Sequence, residues 1–116
     1  MRGSLERLAD MLEAIEKIEK YAARGRNVFE SEELVQTWVV HHLQILGEAA
    51  RAMPQAIRDK IPQVAWSKII GMRHILVHNY FKVDCEIVWA VIEVELPKLR
   101  REITEAIFQI TSPHEN

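Results

Sequence analysis

Residues 31–52 read SEELVQTWVVHHLQILGEAARA, with apolar side chains at Leu34, Val35, Trp38, Val39, Leu43, Ile45, Leu46, Ala49 and Ala50. Steps of three and four mark a helix. Ser31 reads as its start, and Glu32 and Glu33 suit the positive end of the helix dipole. The apolar positions cover more than one stripe, and a helix of that kind must be buried on two sides. In so small a chain a second copy is the expected cover, which hints at a homodimer.

The flanking sequence repeats the helical pattern. Leu5, Leu8, Ala9, Leu12, Ile15, Ile18 and Ala22 predict a helix over 4–24, with Ser4 as N-cap and Gly25 as the left-handed closing residue. Pro54 and Pro62 bracket AIRDKI, a connector with a short turn or helix at about 54–60. A third helix is expected over 64–78, carrying Trp66, Ile69, Ile70, Met72, Ile75, Leu76 and Val77 and stopping at Asn79. Asp84 reads as the N-cap of a last helix over 85–110, kinked at Pro97 with the loss of one backbone hydrogen bond. No segment alternates apolar and polar residues long enough to form a strand. The expectation is a single all-α domain over residues 1–116, a bundle of four main helices plus a short connector helix.

Bulk composition narrows the function. The 116 residues are 48% hydrophobic and 28% charged, values of an ordinary globular chain. Cys85 is the one cysteine, so an intrachain disulfide and a Cys-rich zinc site are both excluded. The N-terminal residues have acids from Glu6 onward in place of a signal peptide's apolar core. No apolar run approaches the ~20 residues of a membrane span. A cytoplasmic location, with no membrane partner, is the expectation. The net charge is −2, which taken alone argues against a nucleic-acid partner.

That charge is unevenly spread. From Lys60 through Val83 there is no Asp or Glu, while Lys60, Lys68, Arg73 and Lys82 all lie there, with His74 and His78. Such a segment attracts anions whatever the overall sum. At its centre is Arg73-His74-Ile75-Leu76-Val77-His78-Asn79-Tyr80. His74 and His78 are four apart and share a helix face, the spacing of metal ligands, but no acid nearby offers a third ligand. Arg73 and His78 are five apart, about 140° around a helix. They converge if Arg73 reaches round, if the helix loosens at His78, or if two subunits share a cleft.

An arginine and a histidine suffice to cut RNA without a metal. Imidazole titrates near neutrality and serves as general base or acid. Guanidinium offers a permanently charged fork to a phosphate that gains negative charge in the transition state. The RNA's own 2′-hydroxyl is the nucleophile, and a cyclic phosphate end results.

Arg73-x4-His78-x-Tyr80 resembles the RX4HXY motif of HepT-type toxins, the HEPN-domain half of the HepT/MntA toxin–antitoxin systems. The flanks are similar too: Val64 to Met72 before the motif, Phe81 to Asp84 after it, Gly47-Glu48-Ala49, Val88-Trp89 and Leu96-Pro97. The resemblance spans essentially the whole chain. It implies a dimeric HEPN-type helical bundle and a metal-independent endoribonuclease with Arg73 and His78 as the catalytic pair. His74, where the family commonly has Asn, and Asn79 fall in supporting positions. Tyr80 matches the tyrosine to which the partner, an MntA-like minimal nucleotidyltransferase antitoxin, transfers AMP. No cofactor is implied for the chain itself; ATP serves only the partner. Bulk and negative charge two residues from His78 would then exclude RNA.

Other readings compete with this one. A non-catalytic HEPN module, using its basic segment only to clamp a nucleotidyltransferase partner or a nucleotide, needs no transition-state support and would tolerate Lys at position 73. His42 reads as a core histidine, and Trp38, Trp66 and Trp89 as core or interface residues rather than base-stacking platforms. Glu48, a carboxylate in an apolar segment, reads as an ion-pair partner, for Arg73 or for another base. Tyr21 and Cys85 have no assigned role.

Overall fold

Leu8, Met11, Ala14, Ile15 and Ile18 all fall on the buried face of α1, Ser4–Ala22, the first of the helices that the apolar spacing produces. The computed structural model describes residues 3–78 and 84–111, with side chains for all of these except 73–78. After α1 come α2, Arg26–Ser31; α3, Glu33–Ala52; α4, Gln55–Lys60; and α5, Trp66–His78. The chain then runs helically through α6, Cys85–Ala90, a π turn, Val91–Glu95, and α7, Leu96–Thr111. The described residues contain no strand, and their buried apolar side chains form one cluster.

The first connection differs from expectation. Ser4 is the first residue of α1, whose ladder begins with the Arg7 amide donating to the Gly3 carbonyl at 3.1 Å; Gly3 takes the cap position and no side chain caps the helix. α1 closes at Ala22, and Gly25 follows with φ 101° and ψ 167°, where a side chain would strain the backbone. The glycine was legible, but it introduces α2 rather than ending α1. Sequence periodicity missed α2 because the helix is short and buries only Phe29. Ser31 therefore ends α2, its Oγ donating to the Val28 carbonyl, and α3 begins only after the extended Glu32. Gln36 fixes this corner by donating from Nε2 to the carbonyls of Phe29 and Glu30, at 3.0 and 3.1 Å.

α3 lies in the middle of the bundle, packed on α1 and on α5. Val35, Val39, Leu43, Leu46 and Ala50 are buried. The broad apolar surface that suggested a second copy is thus largely covered within one chain, by two different neighbours. It no longer argues for a dimer. What remains exposed on α3 includes Leu34, at 85%.

α4 buries no residue of its own. It is held by anchors on either side, Met53 before it and Ile61 and Val64 after it, all at most 3% exposed. The Trp66 indole N–H donates to the Ile61 carbonyl at 3.0 Å, so the turn into α5 is tied to the core. α5 starts two residues later than expected.

Asp84 caps α6 as its position predicts: the carboxylate accepts from the amides of Glu86 and Ile87, both at 3.2 Å. The expected kink at Pro97 takes another form. In the π turn the Leu96 amide reaches back five residues to the Val91 carbonyl. Pro97 brings no N–H and its ring crowds the preceding turn, and the widened turn lies just before it. That wider turn also keeps Val88, Ile92 and Leu96, spaced by four, on the buried side with Leu99, Ile103 and Ala106.

Candidate functional site

α5 carries the part of the motif from Arg73 to His78 on its second half. Its first half sets the register: Trp66, Ile69 and Met72 are buried, while Ser67, Lys68 and Gly71 are exposed. The helix is continuous through His78. Arg73 comes four residues after Ile69 and seven after Trp66, and His74 and His78 come three and seven after Gly71. Within one chain, then, the two catalytic candidates begin from different sides of one helix, about 140° apart. Asn79 and Tyr80 lie outside the described residues, as does Lys82.

The positive surplus of this region is smaller than the linear count. Lys68 Nζ lies 2.6 Å from Glu95 Oε1, on the π turn. A carboxylate from another part of the chain thus offsets one of the four cations. Lys68 and Ile69 also line a small cavity of about 90 Å3 against the start of α7, with Leu96 and Leu99 opposite. The pair closes over this gap between α5 and the last helix.

The remaining sequence candidates have structural employment. His42 is 5% exposed, with Nδ1 2.8 Å from the Trp38 carbonyl, so that nitrogen carries the proton. It is a satisfied core histidine, and exposed His41 stands edge-on to it at 5.1 Å between ring centroids. Trp38 donates from its indole to the Lys17 carbonyl at 2.8 Å and stands edge-on to Tyr21 at 5.2 Å, which gives Tyr21 its role. Trp89 donates to Glu93 Oε2 at 2.7 Å and packs beside Phe29. All three indoles therefore serve the chain's own packing. Glu48 is exposed and lines an open groove of about 500 Å3 between α1 and α3, with Arg7, Asp10, Lys17 and His42. Cys85 is half-buried in the first turn of α6. The hydrogen bond from Arg26 to Glu30 raises the pKa of that guanidinium, on α2, and takes no part in the motif.

Sequence reasoning missed a second opening beside α5. Arg58, Trp66, Ser67 and Lys68 are among the residues lining an open cleft of about 530 Å3 between α4 and the start of α5. Its only linear signal was the pair of prolines, of which Pro62 lines it. Among the described residues no three His, Cys, Asp or Glu side chains are grouped as a metal site requires. No helix among them is long and apolar enough to cross a membrane.

Comparison with known proteins agrees with the family resemblance. The profile of the family described as "Ribonuclease HepT-like" matches residues 11–106. The chain is 31% identical over 97 residues to "Putative RNase MJ1380" of Methanocaldococcus jannaschii, covering 83% of this chain and 89% of that one. To "Putative RNase MJ1216" of the same organism it is 32% identical over 110 residues, 94% of this chain and 91% of the other. To "Probable ribonuclease HepT" of Thermococcus cleftensis it is 31% identical over 103 residues, 85% and 91% respectively. No solved structure gives a significant match.

Proposed function

Because the chain belongs to the HepT-like ribonuclease family, we propose that it is a metal-independent endoribonuclease whose reaction is carried by Arg73 and His78. The observation that carries the reading is the position of these two residues on α5, within a segment that has no acid of its own from Lys60 to Val83. His78 takes the proton of the RNA 2′-hydroxyl. The freed oxygen attacks the adjacent phosphorus as the bond to the 5′-oxygen breaks. That oxygen leaves as a hydroxyl after receiving a proton, and the other product ends in a 2′,3′-cyclic phosphate. Arg73 holds the non-bridging oxygens, where negative charge builds up. His74 and Asn79 support the imidazole. A dimer with one cleft holding both motifs would bring together an arginine and a histidine that start about 140° apart on a single helix.

The same reading makes the protein a cytoplasmic toxin, with a minimal nucleotidyltransferase as its antitoxin. The Tyr80 oxygen attacks the α-phosphorus of ATP on that partner, pyrophosphate leaves, and AMP remains on the ring. The added phosphodiester places negative charge and bulk two residues from His78 and keeps RNA out.

The test is cleavage of RNA by purified protein in excess EDTA, against Arg73→Ala and His78→Ala. General acid–base and oxyanion contributions each amount to about 10²–10³-fold, so each variant should lose at least about 10²-fold in rate. Intact RNA with the wild type, when mass spectrometry shows Tyr80 unmodified, sinks the proposal.

A further inference from the structure

The cleft between α4 and α5 lies outside the motif, yet three observations join the two. The first is register. Ser67 lines the cleft, and positions 67, 71, 74 and 78 follow one another by four, three and four, a single stripe along the helix. The stripe runs about 16 Å from the cleft to His78, a span of a few nucleotides. The second is Gly71, in the middle of that stripe. It is exposed, and a Cβ built on it meets nothing within 4 Å among the described residues. Glycine in a helix interior is less stable than alanine by about 0.5–1 kcal/mol, and no packing among the described residues requires it here. What it provides is bare backbone, against which a ligand can lie closely.

The third observation is Arg58. It is half-buried, and its Nε donates to the Met53 carbonyl at 3.1 Å. That bond sets the plane of the guanidinium at the cleft wall and leaves its terminal nitrogens without a partner among the described residues. Among the neighbouring charges, Lys68 is paired with Glu95 and Lys60 is exposed at the end of α4; Asp59 also lines the cleft, where its carboxylate accepts from the neutral Gln55 Nε2 and keeps its negative charge. Arg58 is thus the fixed, oriented cation of the cleft. A volume of about 530 Å3 lies within the ~300–1,000 Å3 of small-molecule sites, enough for a nucleotide.

We propose that the α4–α5 cleft is a subsite for the RNA strand flanking the cleaved bond, with Arg58 binding a backbone phosphate and Gly71 letting the strand pass close to α5. The inference rests on the ribonuclease reading, and its test separates the two. Binding is measured with a fluorescent single-stranded RNA carrying 2′-O-methyl groups, which cannot be cleaved by attack of the 2′-oxygen, across a range of salt concentrations. Cleavage of the unmodified RNA is measured separately. Arg58→Glu should weaken binding at least about tenfold and raise KM with kcat little changed, and the slope of log affinity against log salt should fall by about one. Arg58→Met keeps the stem that packs in the wall, so it reports the charge if the reversal unfolds the chain. Gly71→Gln should raise thermal stability while weakening binding, which no folding defect explains. Arg24→Glu, on the Tyr21 ring just after α1 and outside the lining of the cleft, is the control for overall charge. Wild-type affinity and salt slope in Arg58→Met overturn the proposal, as does an equal loss in Arg24→Glu. Failure of cleavage with RNA binding intact and Arg58-dependent overturns the ribonuclease reading alone.

Discussion

Replacing Asp84 by alanine tests the link between the motif segment and the last helix. The carboxylate accepts two amide hydrogens, from Glu86 and Ile87 at 3.2 Å, and adds a negative charge at the start of a helix that continues to Thr111. An N-cap is worth about 0.5–2 kcal/mol, and the charge–dipole interaction about 0.3–1 kcal/mol at low salt. Together they set the loss in Asp84→Ala at about 1–3 kcal/mol. For a domain of this size each kcal/mol moves Tm by about 3–6 °C, so Tm should fall by about 3–18 °C in thermal unfolding followed by helical circular dichroism. Asp84→Asn keeps the acceptor and removes the charge. It should recover most of the loss, and its remaining deficit should shrink in 0.5 M salt, where screening suppresses the dipole interaction and spares the hydrogen bonds. Equal Tm values for the Ala and Asn variants would refute the cap as the source of stability. A wild-type Tm in Asp84→Ala would refute the geometry itself.

Two further expectations concern aromatic residues. Trp38→Phe removes the indole bond to the Lys17 carbonyl and should cost about 1–2 kcal/mol in stability, with KM for RNA unchanged within about twofold; a large rise in KM in a folded variant would make Trp38 a stacking platform. Incubation with ATP and the cognate nucleotidyltransferase should add AMP mass to the wild type and none to Tyr80→Phe. If the mass shift persists in that variant, Tyr80 is not the acceptor.

Elements that expose their reason locally were legible. α1, α3, α5 and the last helix follow from apolar steps, and Asp84 follows from an acid placed just before a helix with free amides. Ser4 was read as a cap and Ser31 as a helix start on similar local grounds, and neither holds. Backbone set by neighbouring segments decided both: Gly3 already starts the α1 ladder, and α2 occupies Ser31. The π turn was not legible, because Pro97 states only that a hydrogen bond is missing and the packing of Val88, Ile92 and Leu96 decides how the helix responds. The site divides in the same way. Residue types and spacing mark the candidate motif, whereas the Lys68–Glu95 pair joins residues 27 apart and no linear charge count contains it. The net charge of −2 misled for the complementary reason, since it sums faces that no single ligand meets.

The helix geometry leaves one question that an experiment on subunits decides. α5 is helical through His78, so Arg73 and His78 begin about 140° apart. Either the long arginine side chain reaches round its own helix, or the arginine of one chain serves the histidine of another. Mixed dimers of Arg73→Ala and His78→Ala distinguish the two. If the pairs form across a twofold axis, each mixed dimer has one intact pair and one pair with neither group. Half of the dimers from an equal, randomly assorted mixture are mixed, so activity should return to about a quarter of wild type. If each pair lies within one chain, every pair in the mixture lacks one member, and activity stays at the level of the single variants. The proposed shared cleft requires the first outcome. No recovery, with mixed dimers verified by native mass spectrometry, would place the reaction within one chain and leave arginine's reach as the route to convergence.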